Sequence, residues 1–155
     1  MGAESRLKEL GIVLPQPPAA VANYVPFVRT GSLLVISGQL ALGPDGKLAP
    51  AHKGKLGQNV SIEAGQEAAR LCGINILAQV KAAMGSLDHV AHCVKLGGFV
   101  NCAPGFDAIP AIINGASNLM ADVFEARGKH ARFAVGACEL PLDSAVEIEA
   151  MFEIA

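Results

Sequence analysis

The chemistry open to this chain rests on a few side chains near its C-terminal end. Arg132, in the run Ala131-Arg132-Phe133-Ala134-Val135, carries a planar guanidinium with parallel N–H donors that match a carboxylate. Charge-assisted bonds of that kind contribute roughly 1.5–3 kcal/mol each. An arginine beside a strand serves equally well in an ordinary surface ion pair, and residue type alone does not choose. Further on, Val146-Glu147-Ile148-Glu149-Ala150 sets two carboxylates on one face of a strand, because strand side chains alternate with a period of two. Either could act on water, and the spacing does not separate them. His89-Val90-Ala91-His92-Cys93 holds metal-binding residue types, but alternation separates His89 from His92 and no carboxylate partner is evident, so no metal is expected. There is no P-loop, G-x-S-x-G or G-x-G-x-x-G, and no cofactor is expected.

Those side chains need a frame. Residues 1–10 read as a short charged helix, followed by an extended Pro-rich connector, Leu14-Pro15-Gln16-Pro17-Pro18. Tyr24–Thr30 and Ser32–Ser37 are β-rich runs separated by Gly31, a hairpin signal, and Gly43-Pro44-Asp45-Gly46 is turn chemistry. Lys47–Asn59 is polar and reads as a loop. Ser61 is a plausible N-cap with Glu63 in the first turn, and a helix runs from there to Met84, stopped by Gly85-Ser86. Val90–Asn101 alternates as a strand. Pro110–Glu125 is a second long helix with Ile112, Ile113, Leu119, Met120 and Val123 as its apolar positions. Arg132–Glu139 and Ala145–Ile154 close the chain as strands joined through the turn Leu140-Pro141-Leu142-Asp143. The order ββ, α, β, α, ββ predicts an α+β layer, with the two main helices on one face of a mixed sheet.

At 155 residues the chain is one domain, 1–155: a helix and connector over 1–18 and a core over 19–155. Charged residues are 17% of it and apolar ones 52%, against roughly 25% charged in an average soluble domain. So low a charge leaves apolar surface after folding, and surface of that kind usually meets another subunit. The net charge is −2 with no cluster of Lys and Arg, which argues against nucleic acid and anionic membranes as partners. The apolar runs are too short to span a bilayer, and the N-terminal residues lack an apolar signal core. Cys72, Cys93, Cys102 and Cys138 are scattered without a C-x-x-C pair, and reduced thiols in the cytoplasm are the plain reading.

Three blocks, in order, resemble the reactive intermediate deaminase family, also called Rid or YjgF. They are Tyr24 with Gly31 and Ser37-Gly38-Gln39; the long helix leading to Val94-Lys95-Leu96; and Ala131-Arg132-Phe133-Ala134-Val135 with Leu140-Pro141 and Val146-Glu147-Ile148-Glu149-Ala150. The third is the most specific, and the likeness covers about Pro18 to the C-terminus. The resemblance implies a chorismate-mutase-like fold, a homotrimer and ligand clefts between adjacent subunits. It assigns Arg132 to the substrate carboxylate and Glu147, rather than Glu149, to the positioning or activation of water. Tyr24 corresponds to a pocket tyrosine, and Ser37-Gly38 to a segment whose backbone lines the cleft, where glycine permits close approach. Asn114 corresponds to a pocket asparagine if one residue is inserted between it and Arg132. Departures are plain: Ala134 replaces a common cysteine, His130 replaces the usual proline, and Gly136 and Glu139 replace a Glu and an Arg.

By this resemblance the activity is hydrolysis of 2-imino acids or their enamines to 2-keto acids and ammonia. The alternative is a non-catalytic protein that binds small carboxylates in the same cleft. A third label attached to the family, ribonuclease or translation inhibitor, fits poorly, because the chain has one Tyr and no Trp for base stacking.

Overall fold

The computed structural model describes residues 1–17 and 22–155. Pro18, the last residue of the expected connector, and the first residues of the expected core lie outside the described residues. The chain builds one five-stranded sheet from β1 (Phe27–Thr30), β2 (Leu33–Leu40), β3 (Val90–Asn101), β4 (Ala131–Ala137) and β5 (Val146–Ile154), in the order β1-β2-β5-β3-β4. All pairings are antiparallel except β3 with β4. The chain thus has the expected α+β layer. The last two strands are joined by the expected turn but do not pair: β5 inserts between β2 and β3, and β4 is left at the edge. Helix α1 (Ala3–Glu9) precedes the sheet, and α2 (Ile62–Met84) and α3 (Ile109–Phe124) cover one of its faces.

Local chemistry accounts for the ends of α2 and the faces of β5. Ser61 Oγ accepts from the Ala64 N–H at 3.1 Å to cap α2, and Gly85 ends that helix in the left-handed region at φ 77°. β5 alternates buried Val146, Ile148, Ala150, Phe152 and Ile154 with more exposed Glu147, Glu149, Met151 and Glu153. The buried set meets Leu34 and Ile36 of β2, Leu96 and Val100 of β3, and the apolar stripes of α2 and α3 in one core. β2 runs past the expected Ser37 to Leu40 because its register with β5 shifts between Ile36 and Gln39, a bulge that keeps the strand paired. The buried Asn75 amide holds that end by donating to the Leu40 and Leu42 carbonyls at 3.1 and 2.9 Å.

Among the described residues, no helix covers the second face of the sheet. Strand register places Val28, Leu33, Val35, Phe99, Phe133, Val135 and Met151 on it together. Of these, Val28, Leu33 and Val135 are exposed. This is the leftover apolar surface that the scarcity of charge predicts. Among the described residues, no helix is long and apolar enough to cross a membrane.

Helices α2 and α3 approach closely because glycines line their crossing. A Cβ at Gly115 would lie 2.1 Å from the Gln66 carbonyl oxygen, which is backbone and cannot swing aside. Gly115→Ala should therefore destabilise the fold by about 1–3 kcal/mol through overpacking, read as a lower midpoint in chemical denaturation.

Candidate functional site

The structure sorts the candidate residues into two groups. The first gathers on β4 and α3. Arg132 shares a register row with Leu96, so its side chain leaves the sheet on the helix side. Asn114 and Ser117 stand one turn apart on α3, and both meet it: Arg132 Nη1 donates to Asn114 Oδ1 at 2.8 Å and to Ser117 Oγ at 3.2 Å. Among the described residues no carboxylate pairs with Arg132, and its Nε and Nη2 donate to no protein acceptor. The surface ion pair left open by residue type is therefore not formed within the chain. An unfilled bidentate edge remains, which is the edge a carboxylate takes.

Ser117 and His130 were not singled out as site residues from the sequence. Ser117 Oγ lies 2.9 Å from His130 Nε2, and His130 Nδ1 lies 2.7 Å from the Gly128 carbonyl oxygen. The available signal was the three-residue spacing of Asn114 and Ser117, together with a histidine where the related family has proline.

The second group lies on β2 and β5. Glu147 pairs in register with Leu40 of β2 and Phe99 of β3 and is half-buried on the helix-free face. Burial pushes its carboxyl above the ordinary carboxylate range. Gly38 sits at the β2 bulge directly against it: a Cβ there would be 2.6 Å from Glu147 Oε1, so the backbone approaches the carboxylate as only glycine allows. The Ser37 hydroxyl donates to the Val25 carbonyl at 2.7 Å, so its proton is spent on a local bond. Tyr24 immediately precedes that carbonyl and is exposed. Glu149 stands on the same face as Glu147, packed along Gly97 and exposed to solvent.

The two groups do not meet within one chain. Phe99 aligns Glu147 with Val135, two strands across, and Arg132 is three residues from Val135 on the opposite face. With strands about 4.8 Å apart and about 3.3 Å per residue, the two backbone positions are roughly 14 Å apart. An acid of three or four carbons cannot touch both.

With that geometry in hand, the kinship is clear. The family model described as "YjgF/chorismate_mutase-like, putative endoribonuclease" matches residues 4–154. The chain belongs to this YjgF/chorismate-mutase-like family. It is 42% identical to protein TCP17 of Trypanosoma cruzi over 97% of this chain and 92% of that protein. Among solved structures it resembles Atu1372 of Agrobacterium tumefaciens, at 49% identity with a TM-score of 0.90 over 99% of this chain and 92% of that one. It also resembles E. coli TdcF with bound serine, at 27% identity with a TM-score of 0.65 over 90% of this chain and 94% of that one.

The raised Glu147 carboxyl has a stability consequence. A folded-state value above the unfolded one means the fold favours the protonated form, a contribution present at acid pH and lost as pH rises through the folded value. Glu147→Gln should thus raise the melting temperature at neutral pH, with the gain vanishing below the ordinary carboxylate range. A gain that persists unchanged in acid would contradict this account.

Proposed function

We propose that this protein hydrolyses 2-imino acids, or their enamine tautomers, to 2-keto acids and ammonia, at sites shared between neighbouring subunits of a homotrimer in the cytoplasm. The observation that carries this reading is the Arg132 guanidinium, braced on Nη1 by Asn114 and Ser117 with its Nε/Nη2 edge unfilled. That edge receives the substrate carboxylate. The serine bound by TdcF, a small amino acid of the same size class, supports a ligand of this kind.

Because Arg132 and Glu147 point to opposite faces, the second carboxylate must come from another copy, and the helix-free apolar face offers the surface for that association. In the shared cleft, Glu147 of one subunit faces the imine carbon held by Arg132 of the next. Glu147 takes a proton from water as the oxygen attacks the imine carbon. It returns that proton to the nitrogen to give the carbinolamine, then passes the carbinolamine's hydroxyl proton to the same nitrogen as the C–N bond breaks, leaving the ketone and ammonia. Burial that raises the Glu147 carboxyl moves it toward the pH at which it must both accept and donate. Imines hydrolyse unaided in water, so orientation and proton management suffice. Gly38 lets the backbone line the same pocket, and Tyr24 closes its rim. A net charge of −2 and a single tyrosine support this reading over an endoribonuclease.

Turnover is measured with 2-iminobutanoate generated by a threonine dehydratase. Arg132→Ala should abolish binding of pyruvate and 2-ketobutyrate in calorimetry, and Arg132→Lys should also lose affinity because a point ammonium cannot reproduce the fork. Glu147→Gln should lower turnover by up to about 10²-fold while leaving carboxylate affinity nearly intact, with Glu149→Gln as the silent control. No acceleration by the wild-type protein would leave a carboxylate-binding protein instead.

The shared site makes a sharper prediction. Arg132→Ala and Glu147→Gln subunits, each of low activity alone, should regain about a quarter of wild-type activity when refolded together in equal amounts, the fraction of sites that draw an intact residue from each side. No recovery in mixed trimers would show that the two residues do not share a site across subunits.

A further inference from the structure

Arg132 does not keep its pose alone. Beyond Ser117, the hydrogen bonds continue to His130 Nε2 at 2.9 Å and from His130 Nδ1 to the Gly128 carbonyl at 2.7 Å. A carbonyl oxygen can only accept, so Nδ1 carries the proton, and in the neutral ring Nε2 is then an acceptor. Ser117 must donate to that nitrogen, which leaves the hydroxyl lone pairs facing the guanidinium. Each polar atom in the chain has one consistent role, and the direction of donation is Arg132 to Ser117 to His130 to Gly128.

The far end of this chain is rigid. Gly128 closes the short turn after α3 (Glu125–Gly128) and is buried, and a Cβ on it would lie 2.1 Å from the Met120 carbonyl of α3. The anchor is thus fixed to the same helix that carries Asn114 and Ser117.

We propose that His130 is a positioning residue for Arg132. By taking the Ser117 proton, it fixes that hydroxyl as an acceptor and holds the guanidinium plane with its Nε/Nη2 edge turned outward. Without His130, the Ser117 hydroxyl is free to turn back onto a carbonyl of its own helix, and Arg132 keeps only the Asn114 brace. The inference rests on the reading of Arg132 as the carboxylate-binding residue and adds that its orientation is set by a residue two steps along the hydrogen-bond chain.

The test uses the assembled full-length protein and the calorimetric affinity for pyruvate and 2-ketobutyrate. Ser117→Ala and His130→Phe should each weaken binding about three- to tenfold, the range of one neutral hydrogen bond. The double variant should be no weaker than either single one, because both remove the same support. His130→Gln, whose side-chain oxygen can accept the Ser117 proton, should return to within about twofold of wild type, a rescue that a residue needed only for packing would not give. Losses that multiply in the double variant, wild-type affinity in His130→Phe, or a His130→Gln as weak as His130→Phe would each overturn the proposal. Labelling of Ser117 by a fluorophosphonate probe would overturn it too, by giving the Ser117–His130 pair a nucleophilic role. If Arg132→Ala loses binding while His130→Phe does not, the positioning role fails alone. If Arg132→Ala itself binds normally, the underlying assignment of Arg132 fails with it.

Discussion

Side-chain alternation across a single sheet is the constraint on which the rest of this molecule depends. It sends Leu96, Ala150 and Arg132 toward the helices, and Phe99, Val135 and Glu147 the other way. The core exists because the first set is mostly apolar and roofed by α2 and α3. The same rule parts the two charged residues on which the proposed site rests, since Arg132 and Glu147 leave the sheet in opposite directions. A one-residue slip in β5 would unite them on one face but would turn its buried Val146, Ile148, Ala150, Phe152 and Ile154 away from the core. The burial pattern of β5 thereby keeps Glu147 on the face opposite Arg132.

How far this was legible in the sequence differs by element. α2 could be read to within a residue, because Ser61, Glu63 and Gly85 mark its ends by local hydrogen bonding and backbone geometry. The alternation of β5 was equally plain. The insertion of β5 between β2 and β3 was not, because strand order is decided by long-range pairing and leaves no local trace. The three added residues of β2 depend on the bulge at Ile36/Gln39 and on Asn75, which comes from a helix far along the chain. For the site, Arg132, Asn114, Glu147 and Gly38 were named from the pattern, and the structure brings Arg132 to Asn114 and Glu147 to Gly38. In the sequence His130 stands out only as a departure from the family's proline, and Ser117 carries no local mark of a site residue. Their meaning comes only from the hydrogen bonds they make to each other and to Arg132.

The departures from the related family fall unevenly over the two half-sites. On the Glu147 side, Ser37-Gly38 and the Val146-Glu147-Ile148-Glu149-Ala150 strand keep the family pattern. The replacements Ala134 and Gly136 alternate with Phe133 and Val135 along β4 and so share the helix-side face with Arg132, while His130 lies just before that strand and reaches Ser117. Ala134 stands two residues beyond Arg132 on that face, where a methyl group takes the place of a thiol and leaves the site wider and less polar. At Gly136 the space a side chain would fill is taken by the Cys102 sulfur, 2.7 Å from the Cβ position. The group around Glu147 thus keeps the family's chemistry, while the group around Arg132, to which the proposed function assigns the substrate carboxylate, has been rebuilt around an unchanged arginine. Discrimination between substrates of one reaction class is set by the contacts around their variable groups. On the proposed function, what distinguishes this chain within its family is accordingly to be sought around Arg132, in the width left by Ala134 and in the hydrogen bonds through Ser117, rather than at Glu147.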